Sequence, residues 1–141
     1  MKKFLLMLVC LLSFSAASFA DSDRPISFRQ LPQRAQTFIR QHFHTSNVQK
    51  AFADDDEYEV RLRNGVKIEF GKGGRWKEIE SRRAIPSSIV PDRVMRRVRK
   101  QYGPQVKVLE ISRDEDEIEV KLSNGKELKF DRESRKVEED D

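Results

Sequence analysis

An internal repeat constrains this chain more than any other feature. Residues Pro32 to Phe43 return as Pro91 to Tyr102 at a shift of 59, matching Ala35 to Val94, Ile39 to Val98 and Phe43 to Tyr102. After one inserted residue the shift becomes 60, so that Tyr58 to Gly65 matches Ile118 to Gly125, and Ile68-Glu69-Phe70 matches Leu128-Lys129-Phe130. A chain of two such copies must satisfy the same local rules twice.

Each copy opens with a helix signal, a proline suited to the first turn followed by apolar residues at helical spacing. The stripe is Ala35, Phe38, Ile39 and His42 in the first copy, and Val94, Met95, Val98 and Tyr102 in the second, where Gly103-Pro104 ends it. Strands follow, with Tyr58, Val60 and Leu62 alternating with charged residues, then Val66, Ile68 and Phe70 doing the same. Parity fixes the turn between them. A two-residue Asn64-Gly65 loop would pair Leu62 with Lys67 and split the apolar sets between two faces. A three-residue loop, Arg63-Asn64-Gly65, pairs Leu62 with Val66 and Val60 with Ile68 on one face, with Gly65 supplying the left-handed residue. Ser123-Asn124-Gly125 repeats this logic, setting Val120 opposite Leu128 and Ile118 opposite Phe130.

Earlier strands are expected over Val48 to Phe52 and Val106 to Ile111, with a bulge to reconcile the opposed parity of Val108 and Ile111. A fourth strand is expected at Trp76 to Ile79, with a weaker partner around Lys136-Val137. The expectation is an α+β chain of two tandem helix-plus-antiparallel-hairpin repeats with their helices on one sheet face: residues 21–83, then 84–137, then an acidic tail over 138–141. A lone 60-residue unit without disulfide or metal would be marginal. The copies are therefore expected to pack as one body with a shared or continuous sheet.

Lys2 and Lys3, an apolar run from Phe4 to Leu12, and small residues at Ser18 and Ala20 read as a secretory signal over residues 1–20, cleaved after Ala20. The run is too short to span a bilayer, and no later segment resembles a membrane helix. Of the 141 residues, 28 are basic and 24 acidic. Cleavage removes two lysines and the only cysteine, leaving 26 basic and 24 acidic side chains and no thiol. Disulfides and cysteine chemistry are then excluded. Export, a near-neutral balance and the lack of aromatics between the basic residues exclude nucleic acid as a partner.

The chain resembles the beta-lactamase-inhibitor-like, PepSY-like family of secreted and periplasmic bacterial proteins. The carriers are LPQRAQTFIRQHF, YEVRLRNGVKIEFGKGGRWKEIE, VPDRVMRRVRKQYG and IEVKLSNGKELKFD, in that order. The resemblance implies a non-enzymatic module, helices against a curved antiparallel sheet, that binds or restrains another envelope protein. It carries over no inhibitor contact residue. The second copy departs from the first in having Ile118 for Tyr58 and Ser134-Arg135-Lys136 for Gly74-Arg75-Trp76.

Catalysis has few footholds: His42 and His44 are the only histidines, and no G-x-S-x-G is present. No cofactor is expected. The second sheet face should carry Glu59, Arg61, Lys67, Glu69, Glu119, Lys121, Glu127 and Lys129. It is either a solvated mixed-charge surface or a recognition surface on which Tyr58, Arg61, Lys67 and Trp76 meet a partner. Trp76 itself is either an anchor there or a cover for the core edge. Arg93, Arg96, Arg97 and Lys100 form a basic stripe opposite Val94 and Val98, either a solvated face or a dock for acidic protein or anionic headgroups. The acidic runs Asp54 to Glu57 and Asp114 to Glu117 read as solvated turn tips, with Ca²⁺ binding the alternative. The leading expectation is an exported binding protein that engages or inhibits another envelope or secreted protein through its sheet face. The alternative is an envelope sensor for a cation or small anionic ligand.

Overall fold

The computed structural model of the protein describes residues 23–131 and 136–140, the side chains of 136–140 and of Ser46 excepted. The expected signal segment, residues 1–20, lies outside them. The described chain forms nine strands and two helices: β1 (Arg24–Ile26), α1 (Gln33–His42), β2 (Val48–Ala53), β3 (Glu57–Leu62), β4 (Lys67–Gly71), β5 (Trp76–Glu80), α2 (Asp92–Tyr102), β6 (Val108–Arg113), β7 (Glu117–Leu122), β8 (Glu127–Asp131) and β9 (Lys136–Asp140). The strands make one antiparallel sheet whose spatial order is the chain order, β1 to β9.

The turns form as side-chain parity requires. Leu62 N–H donates to the Val66 carbonyl at 2.8 Å, Gly65 N–H donates to the Leu62 carbonyl at 3.1 Å, and Val60 pairs with Ile68. Gly65 and Gly125 sit at φ of 90° and 89°, the left-handed residue of each three-residue turn. Val120 faces Leu128, and Ile118 faces Phe130. The expected bulge is present twice, between Val48 and Lys50 and between Val108 and Glu110. β6 begins two residues later than expected, because Gly103 turns the chain at φ 95° and the following residues carry it back to the sheet. β9 runs through Asp140, so residues 138–140, expected as a tail, pair with β8. The sequence reading did not foresee β1, a three-residue edge strand around Pro25 that pairs with β2. Proline is tolerated there because an edge strand leaves some amides outside the ladder.

Both helices cover the same sheet face. Ala35 and Ile39 of α1, Val94 and Val98 of α2, and Val60, Ile68, Phe70, Ile79, Ile111, Val120, Leu128 and Phe130 of the strands belong to one buried cluster. The cluster runs without a break across the join, where Glu78 pairs with Ser112, Ile79 with Ile111 and Glu80 with Glu110. One buried polar group in α1 is satisfied locally: Gln36 Nε2 donates to the carbonyls of Leu31 at 2.8 Å and Arg29 at 3.1 Å. No helix among the described residues is long and apolar enough to cross a membrane.

Candidate functional site

The strand registers assemble a charged surface on the face away from the helices. One row runs directly across neighbouring strands as Phe52, Glu59, Glu69, Glu78, Ser112, Glu119 and Lys129. The next reads Lys50, Arg61, Lys67, Glu80, Glu110, Lys121 and Glu127. Three carboxylates in succession, Glu59, Glu69 and Glu78, thus stand opposite one another, and Glu80 faces Glu110. Like charges directly opposite destabilise a sheet, so this arrangement costs folding energy that a solvated surface of alternating sign would not.

Burial sharpens the conflict. Glu78 is only 8% exposed. Burial, then the charges of Glu69 and Glu80, push its carboxyl up to about 8 from an ordinary 4.5, with a hydrogen bond to Glu80 and the charge of Glu110 adding to the rise. Glu69 is raised by burial against the pull of Lys67, and Glu110 by burial and then by Glu80. Lys67 Nζ lies 4.0 Å from both Glu69 and Glu80, the local counter-charge. In the second half the same face is better balanced. Glu119 is raised by burial but faces Lys129, itself only 5% exposed.

Glu78, Glu80 and Glu110 each present a carboxylate oxygen within 4.8 Å of the other two, a spacing that could hold a hard cation. Beside them lies a cleft of about 460 Å³ with Arg61, Lys67, Glu80, Glu110 and Lys121 among its lining residues. Sequence reasoning missed Glu78, Glu80 and Glu110. The bulge opposite Glu69 and Phe70 puts both Trp76 and Ile79 on the core face, which plain alternation from Trp76 does not predict.

The residues singled out from sequence do not share one surface. Arg61 and Lys67 are register partners on the charged face, where Arg61 pairs with Glu59 and lies 5.2 Å from the Phe52 ring centroid. Trp76 is not on that face. It pairs with Phe70 on the helix side, 7% exposed, its ring 6.3 Å from Phe38. Tyr58 also packs against the core, opposite Phe70. A partner on the charged face therefore cannot use Trp76 or Tyr58 as the anchor pictured from sequence. Arg93, Arg96, Arg97 and Lys100 all lie exposed along α2, a third surface.

The acidic turn tips have a structural explanation. Asp54 Oδ1 accepts from the amides of Asp56 and Glu57 at 2.9 and 2.8 Å, and Asp114 Oδ1 accepts from those of Asp116 and Glu117 at 2.7 and 2.9 Å. An aspartate closing its own turn in this way needs no ion to account for it. His42, whose pKa is lowered by burial, shares a hydrogen bond with the Ser88 hydroxyl at 2.9 Å and packs 4.6 Å from Phe38, tying α1 to the segment before α2.

A family model described as "Putative beta-lactamase-inhibitor-like, PepSY-like" matches residues 20–65 and 56–135. Among solved structures, the chain is similar to a protein of the DUF2874 family from Bacteroides vulgatus ATCC 8482 described as a "putative periplasmic protein". The two are 43% identical over 86% of this chain and 99% of that one, with a TM-score of 0.78. It is also similar, at 43% identity over 86% of this chain and 99% of the other with a TM-score of 0.82, to a protein from Bacteroides thetaiotaomicron described as a "putative calcium-regulated periplasmic protein". A further protein from Bacteroides vulgatus ATCC 8482, described as a "putative periplasmic protein of unknown function", is 27% identical over 84% of this chain and 99% of its own, with a TM-score of 0.78. No curated protein matches.

Proposed function

The chain belongs to the PepSY-like, beta-lactamase-inhibitor-like family, and on that premise we propose that it is a non-catalytic periplasmic binding protein whose working surface is the charged sheet face. The signal segment exports it with cleavage after Ala20, and the mature chain is two copies of one unit. The periplasmic description of its structural relatives and the matched registers of the two halves support these readings.

The observation that carries the proposal is the crowding of Glu69, Glu78, Glu80 and Glu110 beside the cleft. A positively charged group set among them relieves repulsion that the free protein bears, and lets Glu78 ionise near neutral pH. The partner is therefore another envelope protein presenting lysine or arginine. Restraint of that partner follows if the same surface blocks its working site. The test is affinity capture from a periplasmic extract with the wild type, a Glu69→Gln/Glu78→Gln/Glu80→Gln variant and an Arg96→Gln/Arg97→Gln variant. A partner captured by the wild type, lost by the first variant and kept by the second is expected. Equal capture by the carboxylate variant removes this surface from the function.

A second reading has its own observation. The oxygens of Glu78, Glu80 and Glu110 converge within 4.8 Å, and a relative at 43% identity is described as calcium-regulated. Here Ca²⁺ is the positive group. Millimolar Ca²⁺ should then raise the melting temperature at pH 8 in the wild type and not in Glu78→Gln/Glu110→Gln; an unchanged wild-type value rejects it.

A further inference from the structure

On the helix side of the sheet, away from the carboxylates, a cleft of about 620 Å³ opens between α1 and the β4–β5 turn, with Arg34, Thr37, Phe38, Arg75, Trp76 and Arg113 among its lining residues. An adjoining recess of about 320 Å³ shares Arg34, Arg75, Trp76 and Arg113 and continues to Asp114 and Glu115. We propose that this cleft binds a small organic anion, its carboxylate or phosphate taken by the three arginines and its apolar body resting on Phe38 and the edge of Trp76. The site is independent of the charged face.

Each arginine reaches the cleft for a reason in the fold. Gly74, in the left-handed region at φ 92°, brings the β4–β5 turn directly onto the first turn of α1. A Cβ there would lie 2.9 Å from Pro32 Cβ and 3.1 Å from Arg34 Cβ. The approach sets Arg75 beside Arg34. Arg113 comes from β6, the neighbour of β5, and is held on Trp76: its Nε–H donates to the Trp76 carbonyl at 3.0 Å, and its guanidinium lies 3.8 Å from the Trp76 ring centroid. A guanidinium already fixed on an indole loses little further freedom when it takes an anion.

The charge balance favours a negative group. Arg34 and Arg75 are exposed and make no ion pair among the described residues. The first turn of α1 carries no acid, whereas α2 opens with Asp92. Guanidinium forks match the planar carboxylate and the phosphate face. Asp114 and Glu115 at the far end of the recess repel a second negative group, which restricts the ligand to one anionic head rather than a polyanion. The volume lies in the range of small-molecule sites.

Trp76 is the only tryptophan in the chain, so its fluorescence reports on this cleft. The wild-type protein is titrated with phenyl phosphate and, separately, inorganic phosphate, with calorimetry on the same samples to register binding that leaves emission unchanged. Saturable binding of phenyl phosphate is expected, about tenfold or more tighter than inorganic phosphate. Arg34→Gln/Arg75→Gln should weaken it by about tenfold or more at an unchanged unfolding midpoint, because both side chains are exposed. Arg96→Gln/Arg97→Gln on α2 should leave it unaltered. Should the double glutamine variant lose stability, Arg34→Lys/Arg75→Lys, which keeps the charge and loses the forks, decides instead by the same weakening. No saturable binding by the wild type, wild-type affinity in the decisive variant, or no preference for phenyl phosphate overturns the proposal.

Discussion

Ile79 pairs with Ile111 across the join between β5 and β6, and both side chains are fully buried. The join thus continues the sheet and the apolar cluster beneath it. Neither half can leave without exposing the other's core. A single unfolding transition is expected, seen alike by far-UV circular dichroism and Trp76 fluorescence. Ile111→Ala should cost about 3 kcal/mol while keeping one transition. Two separated transitions in the wild type would show that the halves are independent.

Glu78 gives stability a definite dependence on pH. In the unfolded chain it titrates near 4.5 and in the folded chain near 8. Between those values the unfolded state releases a proton that the folded state keeps, so rising pH favours unfolding. This contribution is complete below pH 4.5 and lost as pH passes 8. Glu69, Glu110 and Glu119, also raised, act in the same sense. His42, lowered by burial, acts oppositely at acidic pH, so the comparison with Glu78→Gln isolates the glutamate. That variant should show a shallower fall between pH 5 and 8 and a gain on the order of 1–2 kcal/mol at the upper end, measured by urea denaturation across pH.

Gly74 and Gly125 share a backbone conformation but not a neighbourhood. Their φ angles are 92° and 89°, yet a Cβ at Gly125 meets nothing within 4 Å, whereas one at Gly74 meets Pro32 at 2.9 Å. Gly125→Ala should therefore cost about 1 kcal/mol, the left-handed penalty alone. Gly74→Ala should cost about 2–3 kcal/mol, because the β4–β5 turn must also lift from α1. Urea midpoints of the two variants make the comparison.

Trp76 is a core residue as much as a wall of the cleft. Trp76→Ala should cost about 3–5 kcal/mol by removing the support for Phe38 and Arg113. Arg113→Ala should cost about 1–2 kcal/mol through the lost carbonyl hydrogen bond and ring contact. Thermal melts of both variants test the order of these effects.

What could be read from the sequence was what side-chain parity and a left-handed glycine determine locally. The three-residue turns at Gly65 and Gly125, the pairing of Val60 with Ile68, the bulge near Val108 and the stripes of both helices all follow from neighbours a few residues apart. The charged site was only half legible. Arg61, Lys67 and Glu69 lie on strands joined by a short turn, so their common face follows from alternation. Glu78, Glu80 and Glu110 meet only because β5 pairs with β6 around an intervening helix, and because a bulge shifts Trp76 and Ile79 into one face. The same bulge decides between the two readings of Trp76, setting it on the core edge rather than on the charged face. Strand pairing over that distance leaves no periodic mark, whereas the opposed parity of Trp76 and Ile79 carries the same bulge signal as that of Val108 and Ile111.

The strand order carries a consequence for how the chain acquires its shape. With β1 to β9 side by side in the order of synthesis, each strand after the first pairs with the strand that precedes it in the chain. No early strand waits for a late one to slide between it and its neighbour. Ordering advances as a zipper closing from a single edge, with short loops at nearly every step, and low contact order of this kind goes with fast folding. Each newly formed hairpin thus leaves a finished edge ready to receive the next.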